Sequence, residues 1–407
     1  MTGTGARALL ALADDLSGAA ETAMAWGGTP VLLADGGWGG GSAVLDLDHR
    51  DAPAEVAHRR VLAALEHLAA APGAAPVLFA KLDSQLRGNV AATVAALHAA
   101  ATGGAVVVCC PALPALRRAV RDGRVLVDGA PLHEAPAWRG AATAAPADVP
   151  AALGDLPVQP LALEPLRGGA GPVALAAAAA AGAVVVADAV TDADLDLLVA
   201  AGAGREVRWA GSAGLAAALH RARGAGRSAA GPAGPAGPAG PAGRGVLLVV
   251  GTAAPQAREQ TAALVHHRPA TRVVRVAGGE PDGAAAAALL GALRAGGIAV
   301  LHGPQRAGRL DGGPARRLAR VALDVLAALP APGPDLLLTG GETARRVLTG
   351  LGATRLDPLG EVHHGAVLSR TADGRRVVTR PGSFGARASF VDVVDALAPR
   401  PAPEATP

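Results

Sequence analysis

Short, mostly apolar runs recur along this chain of 407 residues, and each gives way at once to a polar or glycine-containing turn. Ala8–Ala13, Val31–Ala34, Val77–Ala80, Ala105–Cys110 and Ala183–Ala187 form one series. Val246–Val250, Arg272–Val276, Ile298–His302, Leu336–Thr339 and Arg376–Thr379 form a second. A strand with one wet face alternates apolar and polar residues. A strand that does not alternate is buried on both faces, which means a parallel sheet covered by helices. Alanine-rich helical patterns at Ala54–Ala70, Ala315–Leu329 and Thr343–Leu351 supply the covers. The expectation is an α/β protein of two domains with mainly parallel sheets, whose ligands sit outside the carboxyl ends of the strands.

The boundary is written at Gly231–Gly243, which reads GPAGPAGPAGPAG. Four triplets are too few for a collagen triple helix and describe an extended, semi-rigid linker. The chain then divides into a first domain at 1–228, a Gly-Pro-Ala linker at 229–244, a second domain at 245–398 and a Pro-rich disordered tail at 399–407.

Charge and composition exclude several function classes. The formal net charge is +3, from 37 basic and 34 acidic residues, and aromatics make up 2%. Scattered arginines with few rings to stack on bases argue against a nucleic-acid partner. Cys109 and Cys110 are adjacent inside an apolar run and read as buried thiols of a reducing compartment. The first apolar run stops at Asp14, too early for a signal peptide, and Val173–Ala187 is too short and alanine-rich to span a bilayer. A cytoplasmic protein without membrane contact is expected. The single lysine, Lys81, lies in no G-x-x-x-x-G-K-[ST] run, so a P-loop is absent. The glycines at 36–41 lack dinucleotide order, and Gly211-Ser212-Ala213-Gly214 sets its serine one place too early for a nucleophile elbow. The adjacent histidine pairs 266–267 and 363–364 have no ligand partners at metal spacing, so no protein-ligated metal is expected.

Three segments carry chemistry. In Ala13–Thr22, ADDLSGAAET, a buried strand runs into Asp14 and Asp15, followed by a helix that Ser17 is placed to cap. Such carboxylates can accept a proton from a substrate hydroxyl or bind sugar hydroxyls. Lys81–Asn89, KLDSQLRGN, holds the only lysine and the only asparagine of the chain just past another strand. It suits an anionic, hydroxylated small molecule, with Arg87 gripping a carboxylate and Asp83 and Ser84 taking hydroxyls. Leu336–Ala344, LLLTGGETA, ends a strand in two glycines and a helix start, a geometry that suits a phosphate. Gly251-Thr252-Ala253-Ala254-Pro255 and Arg380-Pro381-Gly382-Ser383-Phe384-Gly385 repeat the pattern, and three such turns in one domain look like a nucleotide site.

Together with Pro111–Glu134 and Gly211–Leu215, these segments resemble, in order and over nearly the whole chain, the four-carbon acid sugar kinases. The resemblance implies an N-terminal acid-sugar-binding domain, a C-terminal ATP-binding domain and transfer of the γ-phosphoryl group to an alcohol of the acid. It implies that Asp14, Asp15, Ser84 and Arg87 contact substrate, beside the Asp83 read from its own segment, with Asp15 or Asp14 as base and Lys81 or Arg87 holding the carboxylate. Thr252, Ala254, Gly340, Gly341, Glu342, Thr343 and Gly382 would line the nucleotide, with Mg2+ borne largely by ATP. A homodimer is common for such two-domain kinases. The family's G-S-C-S is Gly251-Thr252-Ala253-Ala254 here, and its K-S-G-x-F-G is Arg380–Gly385, so one hydroxyl and one lysine are lost. These changes motivate a second reading, a non-catalytic sugar-acid-binding protein descended from such a kinase.

Overall fold

In the computed structural model, the described residues are 7–33, 38–70, 75–135, 138, 143–224, 245–276, 282–303, 313–331, 333–382 and 384–399. The Gly-Pro-Ala run, Ser383 and the tail beyond Pro399 lie outside them. The chain separates into two units, Met1–Ser228 and Ala229–Pro407.

The strands of the first unit are β1 (Leu9–Ala13), β2 (Val31–Leu33), β3 (Ala43–Asp46), β4 (Val77–Lys81), β5 (Val106–Cys110), β6 (Arg118–Arg121), β7 (Arg124–Val127), β8 (Ala130–Pro131), β9 (Val158–Leu161), β10 (Val184–Ala187) and β11 (Val207–Gly211). Eight of them pair in the order β2-β3-β1-β4-β11-β5-β10-β9, every pair parallel. β1, β5 and β10 are buried along their full length, as unalternated apolar runs require. A leucine such as Leu10 or Leu12, with no exposed surface, contributes about 1.5–3 kcal/mol by that burial. β6, β7 and β8 form a separate antiparallel sheet, a feature the apolar runs do not announce. It is tied down by the Asp188 carboxylate, which accepts from the Asp122 and Gly123 amides at 2.8 and 2.9 Å.

Strand order positions the site. From β1 the chain passes to β2, returns to β3 beside β1, and then crosses to β4 on the other side. The order reverses between β1 and β4, which opens a crevice at their carboxyl ends. The register is flush there: Ala13 pairs with both Asp46 and Lys81, and Gly211 pairs with both Lys81 and Cys110. Whatever follows these residues leaves the sheet at one level.

The second unit contains β12 (Val246–Val250), β13 (Arg272–Arg275), β14 (Ile298–His302), β15 (Asp335–Thr339), β16 (Arg355–His363), β17 (Ala366–Thr371) and β18 (Arg376–Arg380). They pair as β13-β14-β12-β15-β18-β17-β16, parallel as far as β18 and antiparallel beyond it. The path β12 to β15 repeats that of β1 to β4, so the reversal falls between β12 and β15. Leu248, Val250 and Val300 share a core with Phe390 and Val394 of the helix Ser389–Leu397. No helix among the described residues is long and apolar enough to cross a membrane.

Gly211 is what lets β11 reach the flush edge, since a Cβ there would lie 2.2 Å from the Cys110 carbonyl oxygen. Gly211→Ala is expected to cost about 1–3 kcal/mol of stability, as overpacking does. Urea unfolding of the variant beside the parent measures it.

Candidate active site

Asp14 and Asp15 leave β1 at the crevice. Asp15 has extended backbone (φ −146°) and caps the helix Leu16–Ala25, its Oδ1 accepting from the Gly18 amide at 2.7 Å. The cap is therefore Asp15 rather than Ser17, which lies inside the helix. The turn after β3 continues the pairing with β1. The His49 and Arg50 amides both donate to the Asp14 carbonyl, at 2.9 and 3.0 Å. This delivers the Arg50 guanidinium to both carboxylates. Its Nε and Nη2 meet Asp14 at 2.8 and 2.7 Å, and Nη1 meets Asp15 Oδ2 at 2.6 Å. Burial pushes the Asp15 carboxyl above its ordinary pKa and Asp14 adds to this, against the pull of Arg50 and Lys81. Burial works against the charge of Arg50, but Asp14, Asp15 and Asp83 outweigh it and hold its pKa well above the ordinary value.

The second segment meets the first across the crevice. Lys81 is buried at the end of β4, its Nζ donating to the Leu82 carbonyl at 2.9 Å and lying 3.5 Å from Glu21 Oε2. Gly18 makes room for it, since a Cβ there would stand 3.1 Å from Nζ. A compact ammonium fits that gap where a planar guanidinium does not. Asp83 is buried and paired with Arg87, whose Nε and Nη2 donate to its two oxygens at 2.7 and 2.9 Å. Burial alone would raise the Asp83 carboxyl, yet Arg87, Arg50 and Lys81 prevail and hold it well below the ordinary carboxylate range. The Ser84 hydroxyl accepts from Arg118 Nη1, at the start of β6. Asn89 precedes the helix Val90–Ala99 but makes no cap; its amide lies 2.7, 3.2 and 2.8 Å from the carbonyls of His49, Arg50 and Ala52.

In the second unit, the three glycine turns converge at the other crevice. Val250 pairs with Thr339, and Thr339 with Arg380, so Gly251, Gly340 and Pro381 leave the sheet together. Gly251 sits directly on Thr343, whose Oγ1 would be 2.0 Å from an added Cβ, and Gly382 also approaches Thr252 closely, at 2.6 Å. Gly340 takes φ +93°, a conformation reserved for glycine, and opens the helix Gly341–Gly350. The Thr252 hydroxyl accepts from the Ala254 amide at 3.1 Å, and Glu342 is paired with Arg346 at 2.9 Å. Arg380 is turned inward. It is 1% exposed, donates to Gln260 and Ser389 at 2.9 and 2.7 Å, and lies 5.1 Å from the Phe390 ring centroid. Burial pulls its pKa down to about 10. Phe390 is core, while Phe384 is half-buried against His364, the ring centroids 6.5 Å apart.

The structure thus gathers Asp14, Asp15, Lys81, Asp83, Ser84 and Arg87 around one crevice, and Thr252, Ala254, Gly340–Thr343 and Gly382 around the other. Arg50, Glu21 and Arg118 belong to the first cluster and escape a reading of the sequence. Arg50 could have been found from the charged cluster Asp46, Asp48, His49 and Arg50 behind the apolar triplet Ala43–Leu45. Arg118 offers no such signal, because only the antiparallel sheet brings it near Ser84.

Comparison with known proteins matches residues 9–219 to a family model described as a sugar-binding N-terminal domain, and residues 247–390 to a nucleotide-binding C-terminal domain. A D-threonate kinase of Cupriavidus necator is 35% identical over 97% of this chain and 99% of its own length. A D-threonate kinase of Bordetella bronchiseptica is 33% identical over 96% and 97%. Among solved structures, a Salmonella typhimurium LT2 protein superposes with a TM-score of 0.74 at 21% identity, covering 95% of this chain and 98% of that one. Haemophilus influenzae protein HI1011 gives 0.71 at 19%, covering 96% and all of its length. These two share the fold.

The Asp83–Arg87 pair has a pH signature. A depressed carboxyl stabilises the fold above its unfolded pKa, near 3.8, and that contribution is lost as pH falls through the folded value. Asp83→Asn should therefore melt below the parent at pH 7, and the gap should close in acid below about pH 4. Thermal melts of both proteins across pH measure it.

Proposed function

The chain belongs to the four-carbon acid sugar kinase family, and on that premise we propose that it transfers the γ-phosphoryl group of ATP to a hydroxyl of a four-carbon sugar acid. D-threonate, the acid in the names of both relatives, is the first substrate to test. The observation that carries the mechanism is the state of the carboxylate pair at the end of β1.

Both oxygens of Asp14 are engaged by one guanidinium, so Asp14 serves as the anchor of Arg50. Asp15 meets Arg50 through one oxygen and the Gly18 amide through the other, and burial raises its pKa above the ordinary carboxyl value. Asp15 is the proton acceptor for the attacking hydroxyl, since a raised pKa improves a general base near neutral pH. Arg87 uses Nε and Nη2 on Asp83 and offers Nη1 to the acid's carboxylate from a side chain that is 36% exposed. Lys81 places a second positive charge beside Asp15, and Asp83 and Ser84 orient the remaining hydroxyls. In the second unit Gly251 and Gly382 leave room for the Thr343 and Thr252 side chains, and the helix Gly341–Gly350 starts at the crevice, where the first N–H groups of a helix suit a phosphate. Thr252, Ala254, Gly341, Glu342 and Thr343 complete that cradle. Magnesium accompanies the phosphates of ATP and neutralises their charge. Arg380, buried and donating to the Pro381 and Phe384 carbonyls of its own turn, holds the shape of the cradle and stays off the nucleotide.

Release of ADP with Mg-ATP against D- and L-threonate, D- and L-erythronate and their 3-oxo forms tests the proposal. Turnover with one acid is the expected result. Acid binding without ADP release would instead favour a sugar-acid-binding protein with no catalysis. Asp15→Asn should lower kcat by about 10²–10⁴-fold, the range typical of a lost general base. Arg87→Ala should raise the KM for the acid by about tenfold or more, with a smaller effect on the KM for ATP. In the parent, kcat/KM should fall on the acid side at a higher pH than an unperturbed aspartate would give, because Asp15 must be ionised to act.

A further inference from the structure

Asn89 stands where asparagine commonly caps a helix, yet its side chain ignores the helix Val90–Ala99. It reaches back to the carbonyls of His49, Arg50 and Ala52, residues some forty positions earlier. Its neighbour Gly88 shapes the same region. Gly88 takes φ +83°, and a Cβ there would stand 2.8 Å from Arg50 Cγ and 3.2 Å from the Arg50 carbonyl oxygen. Two consecutive residues therefore act on one side chain: Gly88 gives the stem of Arg50 its path, and Asn89 pins the backbone that carries it. The far end of that side chain is the guanidinium that bridges Asp14 and Asp15.

We infer that Asn89 is a positioning residue, holding the 49–52 turn so that Arg50 bridges Asp14 and Asp15 and keeps Asp15 oriented toward the acid's hydroxyl. The inference rests on the reading of Asp15 as proton acceptor and adds a residue that touches neither substrate. The groups facing Asp15 are Asp14 beside it, Arg50 from the turn after β3 and Lys81 from the end of β4, with Glu21, Asp83 and Arg87 behind them. Of these, Arg50 is the cation that bonds Asp15 directly. When the turn loosens, Arg50 retreats, its pull on the Asp15 proton weakens, and the carboxyl titrates at higher pH.

The experiment is the pH profile of kcat/KM for the parent, Asn89→Ala, Arg50→Lys and the double variant, each first checked by circular dichroism. Asn89→Ala should lower kcat by about 10–10²-fold, as small displacements of a catalytic group do. Its acid limb should move upward by about one pH unit, the scale of a weakened neighbouring charge. Arg50→Lys keeps the charge but cannot bridge two carboxylates, and should move the limb the same way. Since the two residues act in series, the double variant should fall well short of the product of the single effects. A limb that stays in place for Asn89→Ala, or multiplicative effects, would overturn the inference and reduce Asn89 to a structural brace. Should Asn89→Ala not fold, an unmoved limb in Arg50→Lys overturns it equally. A parent without turnover would indict the kinase reading instead; titration of Asp15 by 13C carboxyl NMR in parent and Asn89→Ala then tests the positioning alone.

Discussion

Two adjacent carboxylates placed at the end of a buried strand repel each other and lose most of their water. They can coexist as anions only if a cation is buried with them. Arg50 is that cation, and much of the first unit is arranged so that it arrives. β3 has to lie beside β1 for the turn at 47–50 to pass the Asp14 carbonyl, and the segment after β4 has to fold back for Gly88 and Asn89 to reach that turn. The pair Asp14–Asp15, the short strand Ala43–Asp46 and the motif Lys81–Asn89 are one assembly held through a single guanidinium.

The two units solve the same geometric problem with different chemistry. Each sends its first strand through the middle, lays two strands on one side and the fourth on the other, and so leaves a crevice at the point of reversal. In the first, the crevice is filled with buried, paired charge. In the second, close-packed glycines and threonines surround the start of the helix Gly341–Gly350. Charge with directional partners suits a small hydroxylated acid; a helix N-terminus suits phosphate.

Much of this was legible in the sequence, for a physical reason. The ten apolar runs correspond to strands within one or two residues; in most of them burial on both faces leaves no room for alternation, while the edge strand Arg272–Arg275 is partly exposed. The crevices were legible too, since parallel strands present their functional residues immediately after the last apolar one. What stayed hidden depends on pairing between distant segments. β3, β9 and β11 are short or carry Asp, Pro or Arg, so their neighbours rather than their composition make them strands. The partners of the site residues were hidden for the same reason. Arg87 looked free to grip a ligand from sequence, yet it is half spent on Asp83; Asn89 stood out in the sequence only as the single asparagine, and it serves a turn forty residues away.

The small antiparallel sheet of β6, β7 and β8 has a bearing on how such a protein diversifies. It takes no part in the parallel ladder, is anchored through Asp188 and a backbone bridge between Val120 and Ala189, and carries Arg118 to the Ser84 hydroxyl. Residues on its strands can drift without shifting the register on which the carboxylate pair depends. Selection for a longer, shorter or differently oxidised acid therefore finds a pliable wall on one side of the crevice and an unyielding one on the other.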